Sequence, residues 1–292
     1  MDSQNLIAFL AVAETGSFSL AGDKLHLTQP AVSKRIAQLE GQLDVRLFDR
    51  IGRSVTLTEA GQVLMERARL ILQDIDDTRQ ALSNLSGEIS GRLRMATSHH
   101  IGLHRLPEVL KAFSLNYPGV SLDIQFVDSE WAYSAVQRGD IELGIVTLAP
   151  QRNDERVISE PVWDDPLIFM VARDHPLARI RQPSLTDISA YPGVFPGENT
   201  FTKKIVTGYF QQLGLSLDVL MESNYLETLK MMVSIGLAWS VLPATMLSDD
   251  VQDITPKQIR INRQLGYIHH RDRTLSNAGQ ALINLLTEPP KP

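Results

Sequence analysis

The chain of 292 residues contains no cysteine, which excludes disulfides, iron–sulfur ligation and thiol-based redox sensing. Any signal it responds to arrives by non-covalent binding. No apolar run approaches the about 18 residues of a membrane span, and no basic segment leads into an apolar one at the start, so neither a span nor a secretory signal is expected. The chain is expected to be soluble and cytoplasmic. Excess positive charge is also missing. The formal net charge is −6, and residues 1–58 hold six basic residues (Lys24, Lys34, Arg35, Arg46, Arg50, Arg53) against six acidic ones (Asp2, Glu14, Asp23, Glu40, Asp44, Asp49). A domain-wide basic footprint is therefore absent. There is no Gly-x-Ser-x-Gly, no glycine-rich phosphate loop with lysine, and no carboxylate pair with assignable roles, so no catalytic residue is assigned and no cofactor is expected. His100 and His104 are four apart with His99 adjacent, and could share a helix face. Two imidazoles fall short of a metal site, and the intervening Ile101-Gly102-Leu103 adds no acid. No metal ligand is assigned.

With 43% hydrophobic residues the chain is long enough for two or three domains with real cores. Residues 18–58 carry its most specific pattern. Leu20, Ala21, Leu25 and Leu27, then Val32, Ile36 and Leu39, follow helical spacing and predict two short helices packed through a tight turn. Thr28 is a good N-cap and Pro30 falls in the first turn, where its missing N–H costs nothing, so the second helix is expected to start near Thr28. Gln29, Ser33 and Lys34 then face outward. In a helix-turn-helix this part of the second helix enters the major groove, where Gln pairs with adenine, Lys with guanine, and Ser with a base or a phosphate. Arg46-Leu47-Phe48-Asp49-Arg50 and Ser54-Val55-Thr56-Leu57 around Gly52 suggest a hairpin tipped by Arg50 and Arg53, suited to a minor-groove or phosphate contact. A solvated helical hairpin is the bland alternative for this pattern taken alone.

These residues resemble the LysR-type transcriptional regulators. The resemblance runs through Ala11-Val12-Ala13-Glu14-Thr15-Gly16-Ser17-Phe18-Ser19, Leu27-Thr28-Gln29-Pro30-Ala31-Val32-Ser33, Leu39-Glu40, Leu43, Leu47-Phe48-Asp49-Arg50 and Leu57-Thr58-Glu59-Ala60-Gly61, and the length also suits the family. It implies an α+β multidomain protein: a winged helix-turn-helix DNA-binding domain (1–58), a long dimerisation linker helix (59–90), and an α/β effector domain (91–292) like the type 2 periplasmic-binding-protein fold. That domain would have two subdomains, I (91–163 and 266–292) and II (164–265). The resemblance further implies a regulator that binds double-stranded promoter DNA as a homodimer or homotetramer and contacts RNA polymerase, with no membrane partner.

Leu64, Ala68, Ile71, Ile75, Thr78, Leu82 and Leu85 alternate spacings of four and three, the seam of a coiled coil. A helix packed on its own domain would show the same stripe; the resemblance favours dimerisation. From Gly91 onward strand-like and helical segments alternate, which argues an α/β domain with mostly parallel sheets. Ligands of such sheets bind beyond the strand ends, where helix N-termini present free N–H groups. By analogy with the family, Thr97, Ser98, His99, Ser129, Thr147 and Thr200 are the effector-site candidates. Helix capping alone would also account for any one hydroxyl. No Arg or Lys stands out to hold a carboxylate, so hydroxyls, helix dipoles and protonated His99 or His100 are expected to hold a small anion. The competing class is an α/β enzyme or solute-binding protein whose N-terminal helices only dimerise.

Overall fold

In the computed structural model, which describes residues 1–51, 54–85, 87–150 and 154–288, the chain forms two units, Met1–Ser86 and Gly87–Pro292. The first begins with α1 (Ser3–Thr15), capped by the Asp2 side chain and closed by Gly16 in the left-handed region. The helix-turn-helix follows as α2 (Phe18–Leu25) and α3 (Gln29–Leu43). Its turn is tight because His26 takes a left-handed conformation (φ 54°), and a Cβ on Gly22 would come 2.7 Å from the Leu27 carbonyl oxygen. Phe18, Ala21 and Gly22 are the buried face of α2, and Phe18 and Ala21 pack with Leu6, Phe9 and Val12 of α1 and Val32, Ile36 and Leu39 of α3. Leu20, expected in that core, is 55% exposed. It sits about 100° around the helix from Ala21, off the 18–21–22–25 stripe.

The hairpin forms from β1 (Phe48–Ile51) and β2 (Ser54–Leu57), with Phe48 opposite Leu57 and Arg50 opposite Val55. Helix α4 (Glu59–Asn84) starts after Thr58, whose hydroxyl accepts from the Gly61 N–H at 3.0 Å and donates to the Arg46 carbonyl at 2.7 Å. The expected seam divides in two. Leu64, Ala68 and Ile71 pack on the core of the first unit, whereas Leu82 (64% exposed) and Leu85 (83% exposed) have nothing over them within it.

The second unit runs β3 (Gly91–Thr97), α5 (His99–His104), α6 (Pro107–Asn116), β4 (Val120–Phe126), α7 (Ser129–Arg138), β5 (Leu143–Thr147), β6 (Val157–Ala172), α8 (Leu185–Ser189), β7 (Gly193–Phe195), α9 (Phe201–Gln212), β8 (Val219–Glu222), α10 (Leu226–Ser234), β9 (Ser240–Pro243), β10 (Val251–Asp253), β11 (Ile261–His270) and α11 (Asn277–Thr287). A seven-stranded sheet has the order β10-β6-β11-β5-β3-β4, with β9 also on β6. Mostly parallel pairing was expected, but only β3 with β4 and with β5 are parallel in this sheet; β11, β6, β9 and β10 pair antiparallel. The reason is the long β6 and β11, which run side by side in opposite directions and carry the chain out of one core and back. One half is built on Leu93, Met95, Phe113, Leu143 and Leu282, the other on Phe169, Phe195, Phe210, Trp239 and Val241. At the crossing the β6–β11 register shifts between Leu265 and Gly266. A Cβ on Gly266 would lie 2.0 Å from the Glu160 carbonyl oxygen, so the two strands approach there only because that residue is glycine. Among the described residues no helix is long and apolar enough to cross a membrane.

Candidate DNA-reading face and effector cleft

Helix α3 is set by its cap: the Thr28 hydroxyl accepts from the Ala31 N–H at 3.4 Å, and Pro30 lies in the first turn. Burial of Val32, Ile36 and Leu39 leaves Thr28, Gln29, Pro30 and Lys34 exposed and Ser33 half-buried. Gln29 Nε2 donates to Ser33 Oγ at 3.0 Å, so these two side chains present a joined polar surface. Arg35 is drawn away, donating to Gln4 Oε1 at 3.2 Å. The acids that balanced the charge count are partly engaged locally. Asp2 caps α1, Glu14 pairs with Lys24 at 2.7 Å, and Glu40 accepts from the Leu47 N–H at 2.8 Å. Lys34 has no ion-pair partner among the described residues. The Arg50 side chain and Arg53 lie outside the described residues.

In the second unit the residues preceding four helices, Ser98 (α5), Asp128 (α7), Thr200 (α9) and Tyr225 (α10), line one cavity of about 550 Å³. Two of these helices belong to each half, so the cavity is a cleft between the halves. Of the sequence candidates, Ser98, His99, Ser129, Thr147 and Thr200 line it. Thr97 does not: it is fully buried, and its hydroxyl donates to the Ile145 carbonyl on the neighbouring strand at 2.8 Å. Two of the lining hydroxyls have structural duties. Ser129 Oγ accepts from the Thr147 N–H at 3.1 Å, and Thr200 Oγ1 accepts from the Lys203 N–H at 3.2 Å. Ser98 makes no capping bond. His99 packs against Phe126 and Tyr225, with ring centroids 5.7 and 5.2 Å away.

The sequence reading missed the cation of this cleft. Arg263, on β11, lines the cavity while 5% exposed; its Nε donates to Asp165 Oδ2 at 2.7 Å and its Nη1 to Thr202 Oγ1 at 2.8 Å. The signal was available in Ile261-Asn262-Arg263-Gln264-Leu265. Alternation along a strand puts Arg263 on the face of Ile261 and Leu265, both buried, and an inward charge in a strand marks a site or a buried pair. Arg263 also corrects the role expected of His100. Burial, followed by the Arg263 guanidinium, lowers His100 to about 4, so at neutral pH its ring is uncharged and holds no anion by charge.

Among the described residues, three hydrogen-bond contacts cross the cleft. Glu130 Oε1 accepts from the Phe201 N–H at the start of α9 at 2.5 Å, Asn224 Nδ2 donates to Asp128 Oδ2 at 2.7 Å, and His104 Nε2 lies 3.1 Å from Glu227 Oε1. Burial pushes the Glu130 carboxyl up, against the pull of the backbone N–H groups it meets. For Glu227 burial also acts upward, but its backbone hydrogen bond and His104 outweigh it and hold the group below its ordinary range. His100 is 4% exposed, and neither ring nitrogen has a hydrogen-bond partner, an arrangement that costs about 1–3 kcal/mol for each buried polar atom left unsatisfied. The sequence reading found no acid beside His100 and His104, but the fold supplies one. Glu227, 123 residues from His104 in sequence, brings a carboxylate oxygen into a group whose ligand atoms all lie within 4.8 Å of one another.

A capped helix-turn-helix with a hairpin, and two α/β halves joined by two strands around a polar cleft, have the architecture of a DNA-binding protein with a small-molecule domain. The chain belongs to the LysR family of bacterial transcriptional regulators. Residues 3–62 match the bacterial regulatory helix-turn-helix of the lysR family and residues 86–289 match the LysR substrate binding domain, so it is a regulator and not an enzyme. It is similar to an HTH-type transcriptional regulator from the ibpB-leuC intergenic region of Azotobacter vinelandii (71% identity over 107 residues, 37% of this chain and 74% of that protein). It is also similar to the HTH-type regulator YeiE of Escherichia coli K12 (31% over 280 residues, 94% and 93%). Among solved structures it shares the fold of full-length CbnR complexed with its target DNA (TM-score 0.65, 21% identity, 98% and 99% covered).

Proposed function

We propose that this regulator reads its operator through Gln29, Ser33 and Lys34 and responds to a small anion held between the two halves of the effector domain. The observation that carries the effector reading is the joint presence of Arg263 and the N-terminus of α9 at one cavity. In this arrangement the Glu130 carboxyl already occupies the Phe201 N–H, the position an effector carboxylate or oxyanion takes when it binds. The displaced Glu130 then no longer ties α7 to α9, so occupancy alters how the halves are held together. Thr28 and Pro30 set the helix start, and Arg50 and Arg53 of the wing contact phosphate or the minor groove. Two or four copies sum these modest contacts, act from the cytoplasm, and change contacts with RNA polymerase when the effector binds.

A thermal-shift screen of the purified full-length protein against inorganic oxyanions and small organic acids tests this. A ligand present at 100 times its Kd, binding only the folded state, adds about 2.7 kcal/mol. The expected hit is an anion whose shift is reduced by both Ser98→Val and Thr202→Val. A hit indifferent to both changes places the effector elsewhere, and a response only to neutral or cationic compounds refutes the anion reading.

A further inference from the structure

We infer that His100, His104 and Glu227 form a binding site for a divalent first-row transition metal of the zinc class, set across the effector cleft. The donor atoms are already close to the spacing such an ion requires. Glu227 Oε1 lies 3.1 Å from His104 Nε2 and 3.7 Å from His100 Nδ1. Tetrahedral zinc, with bonds of about 2.0–2.1 Å, holds its ligand atoms about 3.3–3.4 Å apart. The two imidazoles come from successive turns of α5, with ring centroids 4.7 Å apart, and the carboxylate comes from the start of α10.

Hydrogen bonding alone leaves this cluster incomplete. The His104–Glu227 contact uses one oxygen, while both ring nitrogens of the 4% exposed His100 and the second Glu227 oxygen have no partner. Buried side-chain polar atoms in folded proteins are nearly always satisfied, and an ion at this point would accept a lone pair from His100. Two imidazoles with one carboxylate suit zinc, cobalt, nickel or ferrous iron; magnesium and calcium demand oxygen donors throughout. His99 stays out of the set, packed against Phe126 at a tilt and edge-on to Tyr225. Because α5 and α10 belong to opposite halves and His100 also lines the cavity, the ion fastens the cleft at its edge. This site does not depend on the identity of the anion.

The test uses the full-length protein, stripped with a chelator, dialysed, and titrated with zinc(II) by calorimetry and with cobalt(II) by its visible absorption. One ion per chain is expected, with cobalt bands characteristic of a low-coordinate site. His104→Ala and Glu227→Gln are each expected to weaken binding by more than about tenfold, since the loss of even an outer-shell partner costs that much, while His269→Ala leaves it unchanged. His104 is 42% exposed in its side chain, so its replacement is compatible with folding, and an unchanged urea transition confirms this. Absence of stoichiometric binding to the wild type overturns the inference. So does an ion that both ligand variants retain, which would be held adventitiously by other histidines.

Discussion

Arg263→Met is the most informative single change, because it removes one partner from a buried ion pair that also lines the cleft. Asp165 is fully buried; Arg263 Nε is its short partner at 2.7 Å, and Arg105 Nη2 stands at 3.7 Å. Breaking a buried pair leaves the remaining charge without compensation and costs about 3–5 kcal/mol, whereas removing both charges is often close to neutral. Arg105 stays, which sets the expectation at the lower end, about 3 kcal/mol. Asp165→Asn alone is expected to cost a similar amount by stranding two guanidinium groups. The double variant should cost about 4 kcal/mol rather than the additive sum of about 6 kcal/mol, a coupling of about 2 kcal/mol, within the range for residues in one network. All three tryptophans, Trp131, Trp163 and Trp239, belong to the second unit, so urea unfolding followed by intrinsic fluorescence reports this unit alone. A cost below about 1 kcal/mol for Arg263→Met, or strictly additive single changes, would show that the pair carries no such burden. The same variant is expected to lose its response to any anion found in the thermal screen.

Replacing both Ser33 and Lys34 with Ala is expected to abolish operator binding in a mobility-shift assay while the fluorescence-detected transition of the second unit stays put; retained operator binding would show that α3 is not the reading helix. Leu82→Ser with Leu85→Ser removes exposed apolar side chains at the end of α4, so sedimentation should show a smaller assembly with an unchanged melting temperature, and an unchanged mass would exclude this end of α4 from the interface. Burial pushes the Glu142 carboxyl up from its ordinary 4.5 although Ser276 N–H donates to it at 2.6 Å. The folded state then binds this proton more tightly than the unfolded chain, so its stabilising contribution is full below 4.5 and is lost as pH rises through the elevated value. Glu142→Gln should therefore gain on the wild type in urea midpoint between acid and neutral pH, and a gap widening in the opposite direction would refute the assignment.

The first unit was legible because its signals are local. Thr28 as cap, Pro30 in the first turn, and the Val32–Ile36–Leu39 stripe fix α3 within a few residues, and the exposed side chains follow from what that stripe buries. Leu20 shows the limit of counting apolar residues without placing them around the helix. In the second unit the alternation of strands and helices was visible, but the antiparallel pairing of β6 and β11 was not, because pairing is decided by partners far apart in sequence, as with Ile261 opposite Leu167. The cleft failed in the same way. Hydroxyls at strand ends were found from position alone, and Thr97 was wrongly counted among them because the strand pleat, not its place at the end, decides which way a side chain turns. Arg263 escapes a search for hydroxyls at strand ends, although its place between the buried Ile261 and Leu265 on β11 marks it as inward-facing. Glu227 carried no local mark at all, since only the folding of α10 against α5 brings it to the two histidines.

Carboxylates carry all three cross-cleft contacts, and this sets opposite demands on the ligands proposed for it. Asp128 and Glu130 reach from α7 and its cap towards Asn224 and the N-terminus of α9, while Glu227 reaches back from α10 to α5. An anion at the α9 end competes with Glu130 and removes one tie between the halves. A divalent cation at the α5–α10 end replaces a single hydrogen bond by three ligand bonds and strengthens another. Each ligand shifts the population of cleft arrangements only by the difference in its affinity for them. If both act on the same arrangements, linkage requires reciprocity: saturating zinc changes the anion's Kd by the same factor by which saturating anion changes the Kd for zinc. Calorimetric titration of each ligand in the presence and absence of the other measures both factors. Two unequal factors would indicate incomplete saturation or an additional species, and two factors of one would show that the two ends of the cleft are energetically independent.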